Sequence, residues 1–216
     1  MARAIILISG AICAGKTELS EGLRDAHDAR IYKTSDLILK VRPRTPQNRR
    51  DLQKAGNSLD RQTSGKWVED ALSRISQDLA EDATIVVDSV RRKNQIDHVR
   101  RVFQNIVYHV HLSASEEELR KRFYERNRDI DTGKTFDTAT SEATEKSVSQ
   151  LSRYADVVIH TDACKPEDVL VRAISNLKLA PKSPGSFVDV VIGGQYGSEG
   201  KGNIAAYLAP EYDLLV

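Results

Sequence analysis

The chain has 216 residues, of which 40% are hydrophobic and 29% are charged, so it holds enough apolar residues to bury a core. Its 32 Lys and Arg face 31 Asp and Glu, and a net charge of +1 gives no overall attraction to nucleic acid or to an anionic membrane. Two cysteines cannot form a disulfide scaffold. No apolar run reaches the ~18 residues of a membrane span, and the N-terminus lacks the order of a signal peptide. We therefore expect a cytoplasmic protein with no membrane or nucleic-acid partner.

Short apolar runs alternate with longer amphipathic stretches over most of the chain. Ala4–Ile8 has the pattern of a strand buried on both faces, and Lys16–Ala26 has the pattern of a helix. Further strands are predicted at 29–33, 84–88, 105–112 and 156–160, and further helices at 52–80 (as one helix or two), 95–103, 115–127 and 166–177. This alternation predicts an α/β fold, with a parallel sheet covered by helices on both faces.

The composition changes near residue 178, where prolines, serines and a glycine become frequent. A new strand is predicted at 187–192, followed by a glycine-rich stretch and a short helix at 203–208. About 30 residues cannot normally bury a core of their own. We therefore predict a domain at 1–178, a linker at 179–186, and at 187–216 the truncated start of a second domain. The alternative is a terminal strand and helix that pack on the first domain.

A glycine-rich loop follows the first predicted strand and fits the pattern G-x-x-x-x-G-K-[ST]. In this pattern successive backbone N–H groups point at phosphate oxygens, and the helix N-terminus adds positive charge. Lys16 would contact the β- and γ-phosphates, and the Thr17 hydroxyl would bind Mg²⁺. The predicted phosphate ligands are Gly10, Ala11, Ile12, Cys13, Ala14, Gly15, Lys16 and Thr17. The alternative is an ordinary glycine turn.

Three more side chains follow predicted strands, where ligands of parallel sheets bind. Asp88 would hold the Mg²⁺ shell through water, or it caps a loop. Ser89 follows it where a hydrolase would need a second carboxylate, which favours transfer to a bound acceptor. Asp36 would orient an acceptor base or hydroxyl, or it caps a helix. Arg91 would bind phosphate, or it lies in a solvated basic loop.

A basic cluster lies in the helix predicted at 115–127. Arg122 and Arg126 are four residues apart and share one helix face. They lead into the polar stretch 129–140, which has the composition of a mobile lid. Phosphoryl transfer depends on neutralising the moving phosphate, so both arginines are predicted to be catalytic. The alternative is a solvated helix with internal ion pairs.

These features together resemble the P-loop nucleoside and deoxynucleoside monophosphate kinase superfamily, over residues 2–177. The matching pieces are Gly10–Thr17, Ser35-Asp36, Val87-Asp88-x-x-Arg91, and His111–Ser115 followed by Arg120, Arg122 and Arg126. The resemblance implies a three-layer fold with a five-stranded parallel sheet of order 2-3-1-4-5. It also implies ATP and Mg²⁺, and a nucleotide monophosphate as acceptor. Residues 42–59, where the acceptor would bind, carry no recognisable signature.

A second glycine-rich string, Val190–Gly202, resembles the opening loop of adenylosuccinate synthetase. That resemblance implies a ligase using GTP or ATP, purine nucleotide biosynthesis, and the option of a homodimer through a complete synthetase domain. Gly197, Glu199, Gly200, Lys201 and Gly202 would lie in its phosphate loop, where Lys201 would neutralise the transferring phosphate.

Ser198 stands where that family has a catalytic aspartate, and a serine hydroxyl cannot act as a carboxylate base at neutral pH. Phage relatives that build 2-aminoadenine nucleotides also lack this aspartate. Ser198 therefore marks either that branch, with dGMP and ATP as substrates, or an inactive site.

Three interpretations of function stay open at this point. The leading one is a nucleotide kinase fused to the start of a synthetase. The second is an ATP-binding module without turnover, and the third is a nucleic-acid 5′-kinase, which needs a basic channel. His109 and His111 share one strand face, which favours packing under a helix over a metal pair.

Overall fold

A computed structural model describes residues 3–79, 83–125, 135–140, 147–177, 190–192 and 200–209. Contacts divide the chain into two units, Met1–Pro181 and Lys182–Val216. No helix within the described ranges has the length and apolar character needed to cross a membrane. The predicted linker at 179–186 lies outside the described residues, so the proposed domain limits stay predictions.

The first unit is built on a five-stranded parallel sheet of order β2-β3-β1-β4-β5, which confirms the predicted fold class. The strands are β1 Ala4–Gly10, β2 Arg30–Lys33, β3 Thr84–Asp88, β4 Val107–Ser113 and β5 Val157–His160. β1 lies at the centre and all seven of its residues are buried. Because all strands run in one direction, their carboxyl ends meet at one edge of the sheet.

Helices cover both faces of this sheet. In the first unit they are α1 Lys16–His27, α2 Thr34–Val41, α3 Arg49–Thr63, α4 Trp67–Gln77, α5 Lys93–Phe103, α6 Glu116–Glu125, α7 Phe136–Thr140 and α8 Pro166–Leu177. Side chains alternate between faces along a strand. Ile5 and Leu7 therefore pack into a core with α2 to α5, while Ile6 and Ile8 pack into a core with α1, α6 and α8.

In the first unit the structure decides two predictions that the sequence left open and departs from a third. The 52–80 segment forms two helices, α3 and α4, because Ser64 and Gly65 both adopt positive φ, 51° and 86°. Helix α2 was predicted only through the alternative in which Asp36 caps a helix, since it is eight residues long and begins with Thr-Ser-Asp, which also occurs in turns. Within the predicted lid, Phe136 begins α7 and is buried in the core, where its ring packs edge-on against Phe123.

The second unit is described only at residues 190–192 and 200–209. A helix, α9 Lys201–Leu208, starts directly after Gly200, whose φ is 70°. Residues 190–192 do not form the predicted strand, and the side chains of Val190 and Ile192 are 75% and 82% exposed. A strand needs a paired neighbour to be stable, and the described residues of this unit supply none.

Candidate active site at the carboxyl edge of the sheet

The predicted phosphate loop joins β1 to α1 at the centre of the sheet edge. Gly10 has φ 148°, and a Cβ atom placed there would lie 2.5 Å from the carbonyl oxygen of Leu112. Only glycine fits so close to the backbone of β4. Gly15, with φ 94°, turns the chain into α1. The tight turn brings the N-terminus of α1 to the same edge as the end of β1.

Lys16 places its ammonium group inside this loop. Its Nζ donates hydrogen bonds to the carbonyl oxygens of Gly10 at 2.8 Å and Ala11 at 2.7 Å. A positive charge held beside the N-terminus of a helix favours an anion such as phosphate. The loop therefore has the charge and backbone geometry that phosphate binding requires.

Asp88 ends β3 next to the phosphate loop, and Thr17 lies in the first turn of α1. Within the described residues, neither side chain makes a hydrogen bond. Burial raises the pKa of the Asp88 carboxyl, and the positive charges of Lys16, Lys33 and Arg91 oppose that rise. An unbonded carboxylate and hydroxyl suit a hard cation such as Mg²⁺. The pair fits the Mg²⁺ that the fold implies.

Arg122 lies behind the loop and ties three elements together. Its Nη2 and Nη1 donate to the carbonyl oxygen and hydroxyl of Thr161, at 2.6 and 3.0 Å, and its Nε donates to Glu118 at 2.8 Å. A longer contact of 3.5 Å reaches the carbonyl oxygen of Cys13. The Thr161 hydroxyl also lies 3.4 Å from the carbonyl of Ala14. We call Arg122 and Thr161 the brace of the loop. The catalytic role of Arg122 stays a prediction.

Other predicted residues lie at the same edge. A carboxylate oxygen of Asp36 accepts from the backbone N–H of Lys33 at 2.8 Å, the helix-capping arrangement that the sequence left open. The Arg91 side chain is exposed, and its backbone N–H donates to Gln95. Sequence reasoning missed Thr34, whose hydroxyl donates to the carbonyl oxygen of Ser89 at 2.8 Å and joins the ends of β2 and β3.

The remaining predicted site residues fall into two groups. Arg126, Gly197, Ser198 and Glu199 lie outside the described residues. Gly200, Lys201 and Gly202 belong to the second unit, at the start of α9. Their proposed roles stay predictions.

An open cavity of about 650 Å³ lies at the end of α2. It is lined by Arg42, Pro43, Arg44, Thr45, Pro46 and Asp51. The guanidinium of Arg42 donates to the neutral oxygens of Ser58 at 3.4 Å and Gln62 at 2.5 Å. Its charge is therefore held in place without a carboxylate partner among the described residues, which suits a polar or anionic ligand.

A group that we call the Asp60 cluster links α3, α4 and α5 on the flank of the site. One carboxylate oxygen of Asp60 accepts from Trp67 Nε1 at 2.7 Å and from Gln95 Nε2 at 3.0 Å. The other accepts from Arg92 Nε at 2.8 Å. The Asp60 side chain is only 12% exposed, so these donors compensate its burial.

His109 and His111 both contact the hydroxyl of Ser9, at 2.7 and 2.8 Å. Burial lowers the pKa of each histidine to about 4. No group of three or more His, Cys, Asp and Glu side chains in the described ranges is arranged to hold a metal ion. The two histidines therefore belong to a hydrogen-bond chain beneath the phosphate loop.

Comparison with solved structures finds the same fold in several kinases and in an antibiotic-resistance protein. A sugar kinase from Janibacter sp. HTCC2649 is 18% identical, with a TM-score of 0.52 over 84% of this chain and 97% of its own. A gluconokinase from Sinorhizobium meliloti 1021 is 16% identical, with a TM-score of 0.53 over 82% and 92%. The tunicamycin resistance protein of Deinococcus radiodurans is 20% identical, with a TM-score of 0.56 over 84% and 99%. At these identities the likeness shows the fold alone.

Comparison of sequences gives two results. No curated protein matches the chain significantly. A family model described as an AAA domain (AAA_18) matches residues 6–147, about two thirds of the chain, and includes the phosphate loop, Asp88 and Arg122. The chain therefore belongs to this AAA domain family and has the fold of the P-loop kinases.

Proposed function

We propose that the first unit is an ATP-dependent phosphotransferase whose acceptor is a nucleoside or deoxynucleoside monophosphate. One observation carries the proposal: the Lys16 ammonium, the Thr17 hydroxyl and the Asp88 carboxylate lie at one sheet edge, the latter two without hydrogen bonds in the described ranges. This combination offers a cationic loop for the triphosphate and two oxygen ligands for Mg²⁺.

Transfer is favoured over hydrolysis by the residue that follows Asp88. Ser89 occupies this position, and its carbonyl oxygen is bonded to the Thr34 hydroxyl. A carboxylate that could orient an attacking water is therefore missing from this position. Phosphoryl transfer to a bound acceptor needs mainly positioning and charge neutralisation.

The proposed acceptor lies between the strand ends and the cavity at the end of α2. Helix α2 has eight residues, so Arg42 is about 12 Å along the helix axis from Thr34. Arg91 supplies positive charge near the strand end, and Arg42 and Arg44 supply it at the cavity. An extended acceptor with an anionic group and polar ring edges matches this spacing.

A coupled assay for ADP release tests the proposal with ribo- and deoxynucleoside monophosphates as acceptors. Shikimate, gluconate and a single-stranded oligonucleotide are tested separately as alternative acceptors. We expect turnover with at least one monophosphate. The variant Lys16→Ala should lose about a hundredfold or more of that activity, because the charge that neutralises the phosphates is gone. Lys165→Ala, at an exposed position next to α8, is the matched control and should keep wild-type turnover.

The assay also separates the alternatives. ATP binding without ADP release for any acceptor would leave a non-catalytic nucleotide-binding module. Turnover with the oligonucleotide alone would make the protein a nucleic-acid 5′-kinase. Either result contradicts the proposed acceptor class.

We further propose that 187–216 carries a second nucleotide-phosphate site of the adenylosuccinate synthetase type. The supporting observation is that Gly200 adopts φ 70° directly before Lys201 at the start of α9. Calorimetry with GTP and with ATP on Lys16→Ala tests this site, since the first loop is then disabled. Residual binding that disappears in Lys16→Ala/Lys201→Ala is expected. Absence of residual binding would contradict the second site.

A further inference from the structure

The inference concerns three buried polar side chains on the sheet face that packs against α2 to α5. Ser9 and His109 are fully buried, and His111 is 3% exposed. The site described above gives them no role. Because buried polar atoms in proteins nearly always have hydrogen-bond partners, the pattern of their bonds can be worked out atom by atom.

The chain of bonds starts at the backbone of Tyr154. Its carbonyl oxygen can only accept, so His109 Nδ1 donates to it, at 3.3 Å. A neutral His109 then has no proton on Nε2, so this nitrogen accepts a hydrogen bond from the Ser9 hydroxyl. The Ser9 oxygen in turn accepts a hydrogen bond from the N–H at His111 Nδ1. Both rings are neutral near pH 7, because burial lowers the pKa of each to about 4.

This order of donors fixes the other nitrogen of His111. With its proton on Nδ1, the neutral ring carries an unprotonated Nε2 that can only accept. Among the described residues, the bond to Ser9 is the one hydrogen bond of the His111 side chain. An unpaired acceptor in the interior is unfavourable, so the fold holds Nε2 ready for a donor.

The ammonium of Lys16 is a suitable donor whose charge acts on this ring. The sheet register pairs His111 with Ser9. Gly10 follows Ser9, and its carbonyl oxygen accepts a hydrogen bond from Lys16 Nζ at 2.8 Å. An ionised phosphate oxygen cannot fill this role, since it has no proton to donate.

We propose that His111 is a positioning residue whose Nε2 accepts a hydrogen bond from Lys16 when that side chain engages a bound triphosphate. The proposal rests on the proposed function in one respect, that ATP binds at the phosphate loop. The hydrogen bonds from Tyr154 through His109 and Ser9 would then keep His111 in the tautomer whose Nε2 can accept from the ammonium. The opposite tautomer would point an N–H at a cation.

Two substitutions separate the nitrogens of His111. In His111→Asn the side-chain amide reaches the place of Nδ1 and preserves the bond to Ser9, but nothing replaces Nε2. In His111→Gln an amide oxygen reaches the place of Nε2. Calorimetry with Mg²⁺-ATP should show about tenfold weaker binding for His111→Asn and a change of less than about threefold for His111→Gln. His98→Gln, on α5, is the matched control and should bind like wild type.

A second readout does not depend on nucleotide. Nitrogen NMR of the ¹⁵N-histidine-labelled wild-type chain at pH 7 should show the His111 proton on Nδ1. A proton on Nε2 would overturn the proposal, as would wild-type ATP affinity in His111→Asn. Equal weakening in the Asn and Gln variants would also overturn it. Failure of the wild type to bind ATP would overturn the proposed function as well, whereas the other results would leave that function intact.

Discussion

Asp88 and Asp60 are two shielded carboxylates on the same half of the molecule, and their surroundings differ. Asp60 accepts three hydrogen bonds, from Trp67, Gln95 and Arg92. Asp88 accepts none among the described residues, and the charges that act on it are those of Lys16, Lys33 and Arg91 together with the carboxylate of Glu18. A carboxylate with all of its donors supplied by the protein holds helices together, while one without donors is available to a ligand. The comparison therefore predicts a structural role for Asp60 and a ligand-binding role for Asp88.

The largest expected effect on stability tests which buried groups carry charge. His109 and His111 have pKa values of about 4 in the folded protein, against 6.5 when exposed. Between those pH values the unfolded chain binds more protons, so stability should fall as the pH drops from 6.5 to about 4. The loss amounts to roughly 3 kcal/mol for each histidine. Urea unfolding between pH 4 and 7.5 measures it.

Asp88 gives a further test, because its pKa shift changes stability with pH in the direction opposite to that of the two histidines. Its pKa is raised in the folded protein, so its contribution to stability decreases as the pH rises through the range above 3.8. In Asp88→Asn the acidic loss of stability should therefore be steeper than in wild type. A stability that does not change between pH 4 and 6.5 would contradict the neutral, buried histidines.

The next effect comes from the Asp60 cluster. Asp60→Ala removes the acceptor of three donors, and leaves the indole N–H of Trp67 and the amide of Gln95 without their partner. We expect a loss of about 2–3 kcal/mol in the free energy of unfolding. Turnover per folded molecule should stay near wild type at a temperature where the variant is folded. Loss of turnover without loss of stability would place Asp60 in the functional site and break the comparison.

The smallest expected change in stability is that of Asp88→Asn at pH 7. The substitution removes a partly buried charge that has no hydrogen bond in the described ranges, so the free energy of unfolding should rise or stay within about 1 kcal/mol. The proposed kinase activity should be lost, because an amide would be a poor ligand of the proposed Mg²⁺ shell. Thermal unfolding and the ADP-release assay on the same sample measure both. Marked destabilisation would show that Asp88 is structural.

The phosphate loop could be predicted because its chemistry is local. Gly10, Gly15, Lys16 and Thr17 lie within eight residues, and their spacing alone implies the turn and the charge. The position of Asp88 could also be predicted from the sequence, since it ends an apolar run with the pattern of a strand. The strand order followed from the resemblance to a kinase superfamily, whereas the alternation of strands and helices gave only the parallel sheet.

The Asp60 cluster and the Ser9 chain could not be predicted in the same way. Ser9 and His111 are 102 residues apart, and their contact depends on which residues of β1 and β4 are paired. The sequence placed His109 and His111 on one face but gave no partner for them. Asp60 and Arg92 meet only after α3 and α5 have packed together. Contacts set by register and helix packing leave no local pattern.

The brace of Arg122 and Thr161 has a consequence for affinity. It links the carbonyl oxygens of Cys13 and Ala14 in the phosphate loop to α6 and to the residue after β5. Ordering a loop at the moment of binding reduces affinity, because conformational freedom is lost together with the freedom of the ligand. Here that entropy is lost before any nucleotide arrives. A nucleotide would bind to a loop that is already ordered. Arg122 would then increase the affinity for the phosphates without contacting them.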